Sequence, residues 1–115
     1  MIPYKNRFHG HSSLDYVYKN GQTSRSRLVN IKCIANKRRQ ESRIAVVVGK
    51  KVIKSAVKRN LIRRRVYEYV RPLINNFKES SDVVIIIGSS EFMSLSHTDM
   101  SAQLDQLFSN AKLLK

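Results

Sequence analysis

The pattern of apolar residues predicts β-strands in three segments of the chain. Residues 28–34 alternate, which predicts a half-buried strand with its even-numbered residues on one face and its odd-numbered residues on the other. Residues 43–48 and 82–87 are nearly continuous apolar runs, typical of central strands that are buried on both faces. Residues 36–42 are polar and highly charged, which is typical of a hairpin loop.

Helical periodicity and capping signals predict three helices. Ser12 and Asp15 form a capping box that opens a short helix, and Asn20 with the following glycine ends it. Apolar residues at spacings of three and four predict a second helix over about residues 56–75. Pro72 lies late in that segment, so the helix should end or kink just before it.

The last helix is predicted from a second capping box, formed by Ser96 and Asp99. The apolar residues of this helix share one side and are Met100, Leu104, Leu107, Phe108, Ala111 and Leu114. Helix, strands, helix, strand and helix follow one another in that order, which predicts an α+β fold, a two-layer sandwich with helices packed on one sheet. A chain of 115 residues fits one domain, so we expect a single domain over residues 1–115.

Positive charge is concentrated in the first two-thirds of the chain. The sequence has 22 Lys and Arg against 8 Asp and Glu, a formal net charge of +14. Residues 1–71 hold 19 basic and 3 acidic side chains, whereas residues 72–115 hold 3 and 5. Such an excess favours a polyanionic partner, usually a nucleic acid. A membrane surface is the second candidate, but the chain lacks a basic amphipathic helix with a large exposed apolar face.

The most informative segment is residues 49–65, GKKVIKSAVKRNLIRRR. From Lys50 onward it holds eight basic residues and no acidic one. A helix face that is basic only for solubility normally mixes both signs, so the segment favours contact with phosphates. Arginine offers planar, bidentate donors for phosphate. The predicted nucleic-acid contacts are Lys50, Lys51, Lys54, Lys58, Arg59, Asn60, Arg63, Arg64 and Arg65.

This segment resembles the family of bacterial ribonuclease P protein subunits. The family has a strand with Arg near its start, a Lys-Lys pair, and then Ala-Val-x-Arg-Asn-x-Ile-Lys/Arg-Arg on the following helix. Here Arg43 starts the strand, Lys50 and Lys51 form the pair, and residues 56–64 read AVKRNLIRR, with no gap in the spacing. The resemblance covers nearly the whole chain.

The resemblance implies a mixed sheet of about four strands with three helices. It also implies a left-handed crossover that runs from the strand 44–48 through the basic helix to the strand 83–87. The protein would bind the catalytic RNA and the 5′ leader of precursor tRNA, raise substrate affinity, and lower the magnesium requirement for 5′ maturation of tRNA. Cleavage would be carried out by the RNA with bound Mg²⁺, so the chain is the accessory protein of an endoribonuclease. We expect a monomer, with one copy per catalytic RNA.

In the family, a cleft between the first helix and the sheet holds the single-stranded leader. Such a groove needs positive charge together with aromatic or apolar platforms. The resemblance assigns to this cleft Arg7, Phe8, Leu14, Tyr18 and Ile31. Three positions depart from the family pattern. Leu14 stands where Phe is frequent and Ala45 where Gly is common, while Leu61 replaces a usual third basic residue, which Arg65 could offset.

Catalysis by the protein chain alone is not indicated. His9 and His11 form the one close histidine pair, in a predicted loop, and His97 lies in the first turn of the last helix. Two-metal chemistry needs convergent carboxylates, whereas the acidic residues are scattered and Glu79 with Asp82 is the nearest approach to a pair. The sequence therefore predicts no catalytic residue and no metal site in the chain.

Two further features bear on the location and class of the protein. No run approaches the roughly 20 apolar residues that span a bilayer, and the single Cys33 permits neither an internal disulfide nor a zinc site. We therefore expect a soluble cytoplasmic protein. A ribosomal protein or an assembly factor that binds structured RNA is the alternative, because composition alone fits it equally well. The spacing of the Lys-Lys, Arg-Asn and Arg-Arg pairs favours the ribonuclease P family.

Overall fold

The computed structural model describes residues 4–8, 11–36 and 41–114. The helices are α1 His11–Asn20, α2 Ala56–Val70 and α3 His97–Asn110. The strands are β1 Gln22–Arg25, β2 Val29–Ala35, β3 Arg43–Val48 and β4 Ser81–Ile87. Short 3₁₀ segments are found at Tyr4–Asn6, Arg71–Asn76 and Ser90–Ser94. No helix within these ranges is long and apolar enough to cross a membrane.

The strands form one mixed sheet in the order β1-β2-β4-β3. β2 is antiparallel to both β1 and β4, whereas β3 is parallel to β4. The predicted mixed sheet of four strands with three helices is thus confirmed. The hairpin predicted at residues 36–42 is wrong, because β4 lies between β2 and β3. The chain passes from β3 to β4 through α2, and the left-handedness of that crossover stays a prediction of the family resemblance.

The main hydrophobic core lies on one face of this sheet. Ile85 of β4 has Ile31 of β2 and Val46 of β3 as its register partners, and all three are buried in the main core. Helices α2 and α3 contribute the other side of the core, so the two layers of the sandwich are this face and these helices. The helical core residues include Ile62, Val66, Tyr69, Val70, Met100, Leu104, Leu107 and Phe108.

The opposite side of the sheet, called the second face below, carries the residues in step with Val84. Lys32 and Ala45 are the register partners of Val84, and Nζ of Lys32 donates to the backbone oxygen of Tyr18 in α1 at 3.0 Å. Val17 of α1 and Val84 are both fully buried but lie outside the main core. Helix α1 therefore lies on the second face. Half-buried residues of this face are Asn30, Lys32, Ile34, Ala45, Val47 and Ile86.

The ends of the helices test the capping predictions. α2 ends at Val70 and a 3₁₀ segment follows, because Pro72 lacks the N–H that an α-helix needs and its ring clashes with the preceding turn. Ser96 is the N-cap of α3, as predicted, and its side chain accepts from the Asp99 amide. The first capping box is wrong, because α1 begins at His11 and Ser12 therefore lies inside the helix.

Leu28 and Leu114 are among the apolar residues that lie outside the elements to which the sequence assigned them. Leu28 precedes β2 and is buried in the main core together with the odd-numbered residues of that strand, not with the even-numbered ones. Leu114 follows the end of α3 and pairs with Phe77 through an isolated bridge. Both corrections concern residues beside an element end, where the local period no longer decides the orientation of a side chain.

Candidate nucleic-acid interface

The basic segment forms the turn after β3 and the first half of α2. Ser55 is the N-cap of this helix, and its side chain accepts from the Lys58 amide. Ile62 and Val66 are buried in the core and fix one side of the helix against the sheet. The opposite side of the helix is therefore directed towards solvent. The exposed cations of the segment, called the basic surface below, are Lys50, Lys51, Lys54, Lys58 and Arg64.

Charge on the basic surface is not neutralised by the ion pairs found in the described ranges. Those pairs join Lys5 to Glu41, Arg27 to Glu91, Arg43 to Asp82, and Arg71 to Glu68. All of them use cations outside the basic surface. A solvated helix normally carries side chains of both signs. The start of α2 does not, which leaves a region of positive potential there. Such a region attracts a polyanion.

Two of the predicted contacts, Arg59 and Arg65, are half-buried and bind backbone carbonyls of their own chain. Arg59 donates from Nη1 to the carbonyl oxygens of Ile53 and Lys54, at 2.9 and 2.8 Å. Arg65 donates from Nη2 to the carbonyl of Leu95 at 2.9 Å. Arg59 therefore fixes the turn that carries the exposed lysines, and Arg65 fixes the segment before α3. The suggestion that Arg65 offsets Leu61 is not favoured by this geometry.

Asn60 and Arg63 interact with each other on the exposed side of α2. Nη1 of Arg63 donates to Oδ1 of Asn60 at 2.8 Å, across one helical turn. Because of this contact, the side-chain carbonyl oxygen of Asn60 already has a partner, whereas the two N–H donors of its amide remain for a ligand. Asn60 is exposed and Arg63 half-buried, so this pair extends the basic surface with a hydrogen-bonding group that is suited to a base edge or ribose.

The second face forms a separate candidate site beneath α1. Tyr18 is 36% exposed, and Nζ of Lys32 lies 5.7 Å from the centre of its ring. Burial, with a smaller contribution from Asp15, raises the pKa of Tyr18, so its ring is neutral at physiological pH. Leu14 lies one turn before Tyr18 and is half-buried. An aromatic ring beside a cation is the arrangement that binds single-stranded nucleic acid by stacking.

The segment before α1 lies along the edge strand β3 and reaches the second face from that edge. Arg7 forms a parallel bridge to Ile44 at the edge of β3. The ring of Phe8 lies 4.7 Å from the guanidinium carbon of Arg43, and Arg43 is in step with the second face, since its register partner is Asp82. Phe8 is half-buried. Phe8, Leu14 and Tyr18 thus lie around the second face, whereas Arg7 is bridged to Ile44, whose side chain is buried in the main core on the other face.

Ile31 was wrongly assigned to this cleft. Its side chain is 0% exposed and belongs to the main core, on the side of the sheet opposite α1. The neighbouring residues Asn30 and Lys32 face the cleft instead, because side chains alternate along a strand. The alternation itself was predicted correctly; the face that receives α1 was not.

A buried ion pair at one end of the second face was not predicted from the sequence. Arg43 Nε and Nη2 donate to the two carboxylate oxygens of Asp82, at 2.9 and 2.6 Å. Asn36 donates to the same carboxylate at 3.1 Å, and Phe8 covers the guanidinium. The sequence placed Asp82 at the start of a buried strand without a partner for its charge, and only the register of β3 against β4 brings the two charges together.

Groups that could perform acid–base chemistry do not converge in the described ranges. His97 is exposed at the start of α3, and Glu79 is exposed while Asp82 is buried against Arg43. His9 and the side chain of His11 lie outside the described residues. No three His, Cys, Asp or Glu side chains of the described residues lie close enough to hold a metal ion. Cys33 is buried in β2, and burial raises the pKa of its thiol.

An α+β sandwich with an unneutralised basic helix and an open sheet face under a short helix defines a small nucleic-acid-binding protein. A sequence model of the family Ribonuclease P matches residues 2–112. The chain belongs to this family. The ribonuclease P protein component of Pseudanabaena sp. (strain PCC 6903) is 26% identical over 114 residues, which cover 99% of this chain and 97% of that relative.

Solved structures show the same fold. The ribonuclease P protein of Staphylococcus aureus superimposes with a TM-score of 0.85 at 21% identity, over 96% of this chain and 98% of that one. The ribonuclease P protein of Thermotoga maritima gives a TM-score of 0.74 at 24% identity, over 88% of this chain and 94% of that one. The predicted ribonuclease P protein-like architecture is thereby confirmed.

Proposed function

We propose that this chain is the protein component of a ribonuclease P ribonucleoprotein and that its two surfaces bind two different RNAs. The basic surface on α2 binds the catalytic RNA. The second face, under α1, holds the 5′ leader of precursor tRNA. The observation that carries the proposal is the separation of these surfaces: one is a cluster of exposed cations on α2 and the turn before it, and the other is a half-buried sheet face flanked by Tyr18 and Phe8.

The basic surface fits a structured RNA. Its five exposed cations lie on a turn and a helix that Arg59 holds together, so the charges are presented on a fixed frame. Each phosphate that is neutralised releases counterions, which makes the affinity strongly dependent on salt. Asn60 adds donors for a base edge or ribose, because Arg63 already occupies its carbonyl.

The second face fits a single strand. Unpaired nucleotides stack their bases on aromatic side chains and place their phosphates near cations. Tyr18 with Lys32 provides one such position, and Phe8 provides another near the edge strand. The half-buried Ala45, Val47 and Ile86 lie on the same face of the sheet and supply an apolar floor. A duplex needs no such platform, because its bases are already stacked.

The resemblance to the ribonuclease P family implies a division of labour between RNA and protein. The RNA subunit would bind most of the Mg²⁺ and cleave the phosphodiester, while the protein raises substrate affinity and screens phosphate charge. Protein cations that replace part of the ionic screening lower the Mg²⁺ concentration at which the RNA folds and binds substrate. One copy of the chain per catalytic RNA is expected.

Cleavage of a precursor tRNA by a bacterial ribonuclease P RNA at low Mg²⁺, with and without this protein, tests the proposal. Correct 5′ processing should be restored only when protein and RNA are both present, and Lys58→Ala with Arg64→Ala should abolish the rescue at moderate salt. Lys78→Ala with Lys112→Ala removes two exposed lysines outside the basic surface and should leave the rescue intact. Tight binding to other structured RNAs without any rescue would instead indicate a ribosomal or assembly protein.

A further inference from the structure

Two apolar side chains stand in the middle of the basic surface. Val57 is 78% exposed and Leu61 is 48% exposed. At 3.6 residues per turn, Val57, Leu61 and Arg64 lie along one line of α2, on the side opposite the buried Ile62 and Val66. The outermost line of a solvated helix is where charged residues are expected, so the apolar pair needs a reason other than the fold.

The fold itself does not use this pair. The N-terminus of α2 is capped by Ser55, and the contact with the sheet is made by the buried side of the helix. Neither Val57 nor Leu61 belongs to the hydrophobic core or packs against it. Removing their apolar atoms should therefore leave the stability of the protein nearly unchanged, which separates a binding role from a structural one.

Charge around the pair selects the class of partner. Lys54 and Lys58 lie beside Val57 and Arg64 lies beside Leu61, all exposed. Glu68, more than one turn beyond Leu61, is the first acidic residue along α2. A second copy of this chain would bring like charges together around the patch, which is costly. A polyanion with an apolar group of its own fits both the cations and the apolar centre.

We propose that Val57 and Leu61 form a platform for an unstacked nucleobase of the catalytic RNA. The flat apolar face of the base covers the two side chains, while Lys54, Lys58 and Arg64 bind the phosphates on either side of that nucleotide. This proposal rests on the function proposed above and adds to it a site for one unpaired nucleotide. It also gives a reason for Leu61 where the family usually has a basic residue, because apolar contact there replaces a phosphate contact.

Binding of the protein to ribonuclease P RNA, measured over a range of salt concentrations, tests the platform. Leu61→Gln keeps a similar side-chain volume and helix propensity but makes the side chain polar; Leu61→Met keeps it apolar. Leu61→Gln should weaken binding about 5- to 20-fold at every salt concentration without changing the salt slope. Leu61→Met should bind like the unmodified protein. Arg64→Ala should weaken binding and also lower the slope by about 0.7 to 0.9.

Photo-crosslinking supplies a second readout at the same position. A photoreactive group attached through Leu61→Cys should crosslink to one or two unpaired nucleotides of the RNA, because the platform faces a single base. Equal affinities of Leu61→Gln and the unmodified protein, a change in the salt slope with Leu61→Gln, or crosslinks spread along a duplex would each overturn the platform. If the unmodified protein neither binds this RNA nor restores processing, the proposed function itself has failed.

Discussion

Three environments are represented by four of the arginine side chains in the described residues, and each gives the guanidinium a different role. Arg43 is buried against Asp82. Arg59 and Arg65 are half-buried and bind backbone carbonyls, whereas Arg64 is exposed on the basic surface. A planar guanidinium with five donors fits all three environments. It can form two parallel hydrogen bonds with a carboxylate, donate to backbone carbonyls, or bind a phosphate. Only the last role requires an external ligand.

The ion pair of Arg43 and Asp82 should be far more important for stability than a surface pair. Removing Asp82 leaves a buried guanidinium without its carboxylate, so Asp82→Ala should lower the free energy of unfolding by about 3–5 kcal/mol. Glu91→Ala, which breaks the exposed pair with Arg27, should cost under about 1 kcal/mol. Urea denaturation of both variants measures the difference. Equal losses would show that burial of the Arg43 pair has no energetic consequence.

Tyr69 should make the protein less stable at high pH. Burial and a hydrogen bond to Asp105 raise the pKa of Tyr69 well above its ordinary value. The folded state thus keeps the proton while the unfolded state loses it above about pH 10, and stability falls by up to about 1.4 kcal/mol per pH unit there. Tyr69→Phe should remove that part of the pH dependence between pH 10 and 11, whereas Tyr16→Phe, at an exposed tyrosine, should retain it.

At the scale of elements, strong periodic segments were predictable and a short polar strand was not. β3, β4, α2 and α3 follow the apolar pattern, and both the end of α2 at Pro72 and the Ser96 cap of α3 were located correctly. β1 has the sequence Gln-Thr-Ser-Arg, which contains no apolar alternation. It is a strand because its backbone pairs with β2, and a pairing of that kind leaves no signal in the side chains.

The turn between α1 and β1 should tolerate no side chain at Gly21. A Cβ there would lie 2.6 Å from the backbone oxygen of Val17 and 3.1 Å from that of Cys33. Gly21→Ala should therefore destabilise the protein by about 1–3 kcal/mol and shift α1 against the second face. Gly49→Ala is the matched control, because a Cβ at Gly49 meets nothing within 4 Å. Thermal unfolding of the two variants should differ clearly, and coincident transitions would contradict the crowding at Gly21.

Substitutions of the neighbouring residues Arg64 and Arg65 in α2 should have different effects, the first on RNA binding and the second on stability. Arg65 holds the carbonyls of Met93 and Leu95, so Arg65→Ala should lower the free energy of unfolding by about 1–3 kcal/mol and leave the salt slope of RNA binding unchanged. Arg64→Ala should change stability by less than about 0.5 kcal/mol and lower that slope by about 0.7 to 0.9. The reverse pattern would show that Arg65, rather than Arg64, contacts RNA.

At the scale of the whole molecule, the sheet separates a closed side from an open one. α2 and α3 cover one face and form the core, whereas α1 covers the second face only in part and leaves half-buried apolar residues beside Tyr18. The sequence indicated the basic surface through a run of cations without acids, and its resemblance to the ribonuclease P family assigned Tyr18 to a cleft beside the first helix. It could not show which face receives α1, so Ile31 was placed in the cleft.

The same limit applies to the arginines of the basic segment. All of them carry charge in the sequence, but the partners that occupy Arg65 are carbonyls some 28 to 30 residues away along the chain. The pair of Arg43 and Asp82 spans 39 residues. Contacts at such separations depend on strand register and helix docking, which no local period encodes.

The central claim, two RNA surfaces with different ligands, is tested most directly by the affinity of the protein–RNA holoenzyme for precursor tRNA and for the same tRNA without its leader. Tyr18→Ala should weaken binding of precursor tRNA about 5- to 100-fold, the range of one lost stacking contact, and leave binding of the leaderless tRNA unchanged. Equal weakening for both tRNAs, or none for either, would show that the second face does not hold the leader.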